Sequence, residues 1–249
     1  MKVALLIHGQ PRFTPAFQIL MAQLQGWIQA DLYFVLWRSD WAQDADEARA
    51  KIQPILAPGY NIKEIVIADQ PDRPLPNPKF NHPTDEKESV RWWYKRRVGM
   101  WLSLKMAFDL VDPNENYDLI LKVRGDGRLD RSINLASVDI ALYKMLYPCW
   151  PRNGYPGGEI CDQFLIADYE GMSFYADMIN HIDEYMVEVY PEWESDVHRW
   201  ASEHMLNHHM VKNGRTQHCA DFRHMLKNDG RADCDDKDLH LQIGKNPTK

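Results

Sequence analysis

Two apolar runs near the start of the chain, Val3–Ile7 and Leu32–Trp37, and a β-branched stretch, Ile62–Ala68, are separated by segments long enough for a helix. Parallel strands need a crossover of that length, so the spacing predicts a parallel sheet with helices on both faces. Val3 to Ile7 is apolar without a break, as a strand buried on both sides requires, and it ends in the polar turn His8-Gly9-Gln10-Pro11-Arg12. Thr14 is suited to cap a following helix with Pro15 at its first position, and Phe17, Leu20, Met21, Leu24, Trp27 and Ile28 recur on one face. A weaker helix is expected from Asp40 to about Leu56, before the β-branched third strand. This βαβαβ order makes a nucleotide-binding half-domain plausible.

Five prolines between Gln70 and Pro83 then rule out a regular element and predict a long surface loop. A helix is expected from about Asp85 to Val111, through Trp93, Arg97, Met100, Trp101, Leu104 and Phe108. Tyr117 to Val123 reads as a fourth strand, and it breaks into Arg124-Gly125-Asp126-Gly127-Arg128-Leu129-Asp130. The two glycines let the backbone turn sharply beside a ligand, and open α/β sheets bind ligands beyond the carboxyl ends of their strands. Asp126 therefore stands where a functional carboxylate is expected, with Asp130 as a second candidate. The later pattern is mixed: a loop at Tyr155–Gly158, a strand over Ile160–Ala167, a helix from Glu170 to about Tyr185, another from Val197 to Lys212 closed by Gly214, and a short strand over Arg215–Ala220. The polar tail after Lys227 is expected to be loosely held.

A chain of 249 residues can bury a substantial core, as one large α/β domain or two small ones. Its formal charge of -7 disfavours a generally basic nucleic-acid-binding surface and turns attention to a small-molecule or glycan partner. Cys149, Cys161, Cys219 and Cys234 form no Cys-x-x-Cys pair, so reduced thiols are expected rather than a zinc ribbon. The apolar run before His8 is too short for a signal-peptide core or a membrane span, which predicts a cytoplasmic protein. Nine tryptophans suit stacking on sugars or bases, and core packing accounts for such rings equally well.

Three polar clusters fall at expected strand ends: His8-Gly9-Gln10 with Arg12, Trp37-Arg38, and Arg124-Gly125-Asp126 with Arg128 and Asp130. Guanidiniums clamp phosphate oxygens and a carboxylate holds a divalent cation, so the set suits a diphosphate; a salt-bridged surface turn is the structural alternative. Arg96 and Arg97, near Trp92, Trp93 and Trp101, face either phosphates or solvent. There is no Gly-x-Gly-x-x-Gly and no P-loop, which counts against a dinucleotide dehydrogenase and a P-loop kinase. His204 and His208 have metal-chelating spacing but lack the His-Glu-x-x-His order of zinc proteases, and they read as helix surface. No Gly-x-Ser-x-Gly elbow is present for serine catalysis.

Four ordered blocks resemble GT-A-type glycosyltransferases, especially small bacterial and viral ones similar to lipopolysaccharide-synthesis transferases. They are Val3–Arg12, Trp101–Ala107, Tyr117–Asp126, and Cys161–Ala167 followed by Met172, with Glu203 and Leu206 resembling a late helix of the family. The resemblance implies a GT-A-like (Rossmann-like) α/β fold with a mixed, mainly parallel sheet flanked by helices. It would form a single domain over 1–226, with a nucleotide-binding half over about 1–130 and an acceptor half over about 131–226; 227–249 is the tail. It implies a nucleotide-sugar donor and a glycan or other hydroxyl acceptor, with His8, Gly9, Gln10, Arg12, Trp37, Arg97 and Arg124 on the donor side. Asp126 would meet the diphosphate, with manganese or magnesium, and Asp162 would sit near the reacting sugar as base, with Glu203 second. In place of the family's Asp-x-Asp the chain has Arg124-Gly125-Asp126, which leaves metal dependence open. A non-catalytic nucleotide- or glycan-binding module and an enzyme glycosylating modified nucleobases are the alternatives.

Overall fold

The computed structural model describes residues 1–13, 15–25, 29–74, 86–125, 127–129, 133–137, 140, 145–146, 149–150, 159–160, 164–188, 202–214 and 241–243. The first half is β1 (Lys2–Gly9), α1 (Pro15–Gln23), β2 (Leu24–Gln25), β3 (Gln29–Trp37), α2 (Ala45–Ile52), β4 (Tyr60–Ala68), α3 (Glu86–Asp109) and β5 (Leu119–Val123). Short strands β6 (Gly127–Leu129), β7 (Ile133–Asn134), β8 (Met145–Leu146), β9 (Cys149–Trp150) and β10 (Glu159–Ile160) follow. The chain continues through β11 (Leu165–Ala167), α4 (Tyr169–Ala176), α5 (Met178–Glu188), α6 (Ser202–Lys212) and β12 (Leu241–Ile243).

A six-stranded sheet in the order β4-β3-β1-β5-β11-β8 carries the fold. β4, β3, β1 and β5 are parallel, while β11 runs antiparallel to both β5 and β8. This is the expected mixed, mainly parallel α/β sheet of Rossmann-like strand order, flanked by helices on both faces. Strand alternation sorts the side chains into two layers. Val3, Leu5 and Ile7 meet Phe17, Leu20 and Met21 of α1 and Ala48 and Ile52 of α2. Ala4 and Leu6 point the other way, towards Val98, Trp101 and Leu104 of α3 and Met172 and Tyr175 of α4.

Local chemistry sets the ends of several helices. The Asp44 carboxylate accepts from the backbone N–H of Glu47 at 2.8 Å and starts α2, and Asp168 accepts from Gly171 at 2.7 Å to start α4. One helix from Glu170 to Tyr185 was expected, but Asp177 divides it into α4 and α5. The Asp177 carboxylate takes a hydrogen bond from the Asn180 side-chain amide at 2.6 Å and its carbonyl takes one from the Asn180 backbone at 2.9 Å, a local alternative to continuous helix. The apolar stripe expected to extend α1 to Ile28 also stops short, because Leu24 and Gln25 pair with β7 instead; Thr14, Trp27 and Ile28 lie outside the described residues.

Elsewhere, the expected strand over Ile160–Ala167 is described as β11 and the end of β10, with 161–163 outside the described residues. The expected loop at Tyr155–Gly158 and strand at Arg215–Ala220 also lie outside them. Within the polar tail, Leu241–Ile243 pairs antiparallel with β6, immediately after the fourth parallel strand. Of the proline-rich loop, residues 70–74 are described: Asp72 pairs with Lys95 of α3 at 3.4 Å, and Arg73 with Asp183 of α5 at 2.8 Å. Among the described residues, no helix is long and apolar enough to cross a membrane.

Trp101 is fully buried at the centre of the α3 layer, its ring 5.2 Å from that of Tyr175. Trp101→Ala is expected to destabilise the protein by about 3–5 kcal/mol, from lost transfer energy and the cavity left behind. Urea unfolding at an unchanged slope measures this, and a loss below about 1 kcal/mol would contradict the assignment of this layer as core.

Candidate functional site at the carboxyl edge of the sheet

Because β4, β3, β1 and β5 run the same way, their carboxyl ends share one edge. The pairing of Ile7 with Val123 brings the next residues, His8 and Arg124, side by side. Gly9 then turns the chain with φ +92°, a conformation that side-chain-bearing residues rarely adopt. At the end of β5, a β-carbon on Gly125 would lie 3.3 Å from the Phe13 ring and 3.4 Å from the Arg12 carbonyl oxygen. The turns after β1 and β5 are therefore packed against each other, and Arg12 is fixed near Arg124.

Helix α3 extends this edge outwards. Arg96, Gly99 and Ser103 fall at i, i+3 and i+7 and so share one stripe. Ser103 touches His8, and a β-carbon on Gly99 would sit 3.0 Å from the Gln70 amide nitrogen, at the end of β4. Arg96 lies about 10 Å further along the helix axis than Ser103, towards the α3 N-terminus and beyond the strand ends. Partial burial and the charges of Arg12, Arg97 and Arg124 lower the Arg96 pKa from its ordinary value. The guanidiniums of Arg12, Arg97 and Arg124 thus lie within electrostatic reach of Arg96.

His8 is held neutral beneath them. The Ser103 hydroxyl donates to the Met100 carbonyl at 3.0 Å, so its oxygen is left to accept from His8 Nδ1–H, also at 3.0 Å. That tautomer leaves a lone pair on Nε2, which is shut off from solvent and has no hydrogen-bond partner among the described residues. Burial drives the His8 pKa well below 6.5, the charges of Lys122 and Arg124 lower it further, and the Met100 carbonyl opposes them weakly. Lys122 projects from β5 into the α4 layer at 1% exposure, its ammonium 5.7 Å from the Tyr175 ring centre.

Of the residues expected at the donor site, His8, Gly9, Arg12, Arg97 and Arg124 gather here. Gln10 is exposed and its amide approaches Gln70 at 3.5 Å. Trp37 is buried at 3% exposure at the end of β3, and Arg38 after it pairs with Asp69 at 2.8 Å and donates to the Gln43 carbonyl. Asp126, Asp130 and Asp162 lie outside the described residues; Glu203 is on α6, with its side chain outside them. His204 and His208 are also on α6, where the His208 ring meets Tyr185 edge-on at 4.7 Å. Neighbouring His209 contacts the Tyr185 hydroxyl at 2.8 Å and the Phe174 carbonyl at 3.2 Å, so this helix end is used for packing.

The sequence reading passed over Ser103 and Lys122, although Ser103 sits one turn from Gly99 on the stripe that carries Arg96. Among the described residues no group of three or more His, Cys, Asp and Glu side chains could hold a metal. A hard divalent cation takes oxygen ligands, whereas guanidinium and ammonium groups offer donors only and repel it. Arg12, Arg96, Arg97, Arg124 and Lys122 would therefore not themselves hold manganese or magnesium, the Asp69 carboxylate after β4 is paired with Arg38, and Asp126 lies outside the described residues.

Fold and edge together define an α/β protein with a mixed, mainly parallel sheet and a basic cluster beyond its parallel strands. No protein-family model matches the sequence, and no curated protein matches it. Among solved structures, the chain is similar to mouse xyloside xylosyltransferase 1 in its apo form, at 10% identity and a TM-score of 0.47, covering 86% of this chain and 83% of that one.

The lowered His8 pKa has a signed consequence for stability. Below about pH 6.5 the unfolded chain binds a proton at this position that the folded chain resists, so stability from His8 is complete above that pH and is lost as the pH falls through it. His8→Asn is expected to lose less stability on acidification than the wild type, measured as urea midpoints across this range. Parallel curves for the two proteins would contradict a buried neutral His8.

Proposed function

We propose that the protein is a glycosyltransferase that moves a sugar from a nucleotide-diphosphate sugar to a hydroxyl acceptor. The observation that carries this reading is the meeting of Arg12, Arg96, Arg97 and Arg124 with neutral His8 at the carboxyl edge of the parallel strands. Guanidinium forks match pairs of phosphate oxygens, and this edge is where an open α/β sheet receives a nucleotide. Gly9 lets the backbone approach the ligand closely, and Gln10 and Trp37 belong to the nucleotide side of the site.

In the transfer itself, the acceptor oxygen bonds to the anomeric carbon while the bond from that carbon to the diphosphate oxygen breaks. The electron pair leaves with the diphosphate, whose negative charge grows, and preorganised positive groups stabilise that charge best. The acceptor proton passes to a carboxylate: Asp162 is the first choice and Glu203 the second if the configuration inverts. Asp126, next in sequence after Gly125, is assigned in this reading to the donor diphosphate. The acceptor is a glycan, a lipopolysaccharide-like hydroxyl or a modified nucleobase, and the reaction is cytoplasmic.

Asp126→Ala is expected to abolish sugar transfer from a panel of nucleotide sugars while leaving the thermal midpoint within a degree or two, as for a substitution away from the core (about 0.5 kcal/mol or less). Unchanged transfer by that variant would overturn the role of Asp126. Failure of every nucleotide sugar to bind or react would overturn the reading as a whole.

A further inference from the structure

Resting on that reading, we infer that Phe13 is a positioning residue for the turn after β5: its ring is held by the core, bears on Gly125, and so sets where the chain passes on towards Asp126. Gly125 has no φ in the left-handed region, so its missing side chain answers a contact and not a backbone conformation. A β-carbon there would lie 3.3 Å from both Cδ1 and Cε1 of the Phe13 ring and 3.4 Å from the Arg12 carbonyl oxygen. Carbon atoms pack best at about 3.5–4.0 Å, so any side chain at this position must displace either the ring or the turn.

The ring has little freedom to yield. Its centre is 5.2 Å from that of Phe17 on α1 and 6.0 Å from that of Phe34 on β3, both met edge-to-face, and both of those side chains are fully buried. Trp41, in the loop after β3, closes a third side with its ring 5.1 Å away. Edge-to-face packing at such separations is a favoured aromatic geometry, so these neighbours fix the place and the tilt of the Phe13 ring. The turn after β1, the loop after β3 and the turn after β5 thus meet on one side chain at the carboxyl edge of the sheet. Phe13 offers a ligand no polar atom and acts through backbone. Consecutive Cα atoms are about 3.8 Å apart, so the residue after Gly125 cannot be placed independently of it. A misplacement of about 1 Å that originates away from the reacting atoms can cost on the order of a hundredfold in rate.

The test uses the full chain in two assays: hydrogen exchange of the free protein, which reads the turn directly, and transfer from a panel of nucleotide sugars, which reads kcat. Phe13→Ala is expected to speed exchange around Gly125 and to lower kcat about ten- to a hundredfold, and Phe13→Leu, which keeps apolar bulk without the flat ring, should fall between it and the wild type. Gly125→Ala is expected to lower kcat where the ring is present. Added to Phe13→Ala, which removes the ring, it should cost less than about twofold more, because the two changes act on one contact. Circular dichroism of the free variants checks the fold; where Phe13→Ala does not fold, the same cycle with Phe13→Leu is expected to show a smaller loss from Gly125→Ala than the wild-type background does.

Unchanged exchange around Gly125 or unchanged kcat in the folded Phe13 variants, or losses from Phe13 and Gly125 that simply multiply in the double variant, would overturn the positioning role and leave the glycosyltransferase reading standing. Faster exchange around Gly125 in Phe13→Ala, in a protein whose wild type transfers sugar from no nucleotide sugar, would keep Phe13 as the support of the turn and overturn that reading.

Discussion

The structure depends on β1 being hydrogen-bonded on both sides and buried on both faces. It pairs with β3 along its whole length, from Lys2 with Gln29 to Gly9 with Leu36, and with β5 from Val3 to Ile7. A shift of one residue would send Val3, Leu5 and Ile7 into the α3 layer and Ala4 and Leu6 into the α1 layer, exchanging large side chains for small ones against fixed helices. Packing therefore locks the register, and the register decides which polar residues emerge together where the strands end. His8 lies beside Arg124 because Ile7 lies beside Val123.

The two ends of the sheet handle buried polarity in opposite ways. Near the amino ends, Asp31 is fully buried and satisfied: it accepts from the Tyr117 hydroxyl at 2.7 Å and the Asn61 amide at 2.9 Å, with the Lys63 ammonium 3.7 Å away. The Tyr33 hydroxyl, 2.8 Å from that of Tyr117, continues the network. Such a closed set holds β3, β4 and the approach to β5 together and leaves no group over for a ligand. At the carboxyl ends, His8 keeps a buried nitrogen with no partner among the described residues, and the charges of Lys122 and Arg124 act on it. An unused buried acceptor costs stability, and the Trp101 indole nitrogen in the adjoining core layer is likewise buried without a hydrogen-bond partner among the described residues.

The parallel half of the fold was legible because its signals are long and periodic. Apolar runs and a β-branched stretch gave β1, β3, β4 and β5 to within three residues, and the recurrence of Met100, Trp101, Leu104 and Phe108 gave α3. β8 and β2 were not legible: two-residue strands contain no period, and their existence depends on partners far along the chain. The break at Asp177 was missed because a side chain competing for local hydrogen bonds leaves the apolar pattern on either side intact. In the site, strand ends pointed to His8, Arg12 and Arg124 directly. Ser103 and Lys122 were hidden, since a helix serine becomes meaningful only when a strand histidine is seen across from it, and one lysine in an apolar strand gives no hint of its depth.

Hydrogen exchange of the whole protein, with and without a bound nucleotide sugar, tests the central claim that the carboxyl edge of the parallel strands is the donor site. Slowed exchange is expected at residues 8–13, around 96–103 on α3, and at 124–125 after β5, with the amino-end network of Asp31, Asn61 and Tyr117 unaffected. Protection confined to the amino ends of the strands, or to α5 and α6, would contradict it.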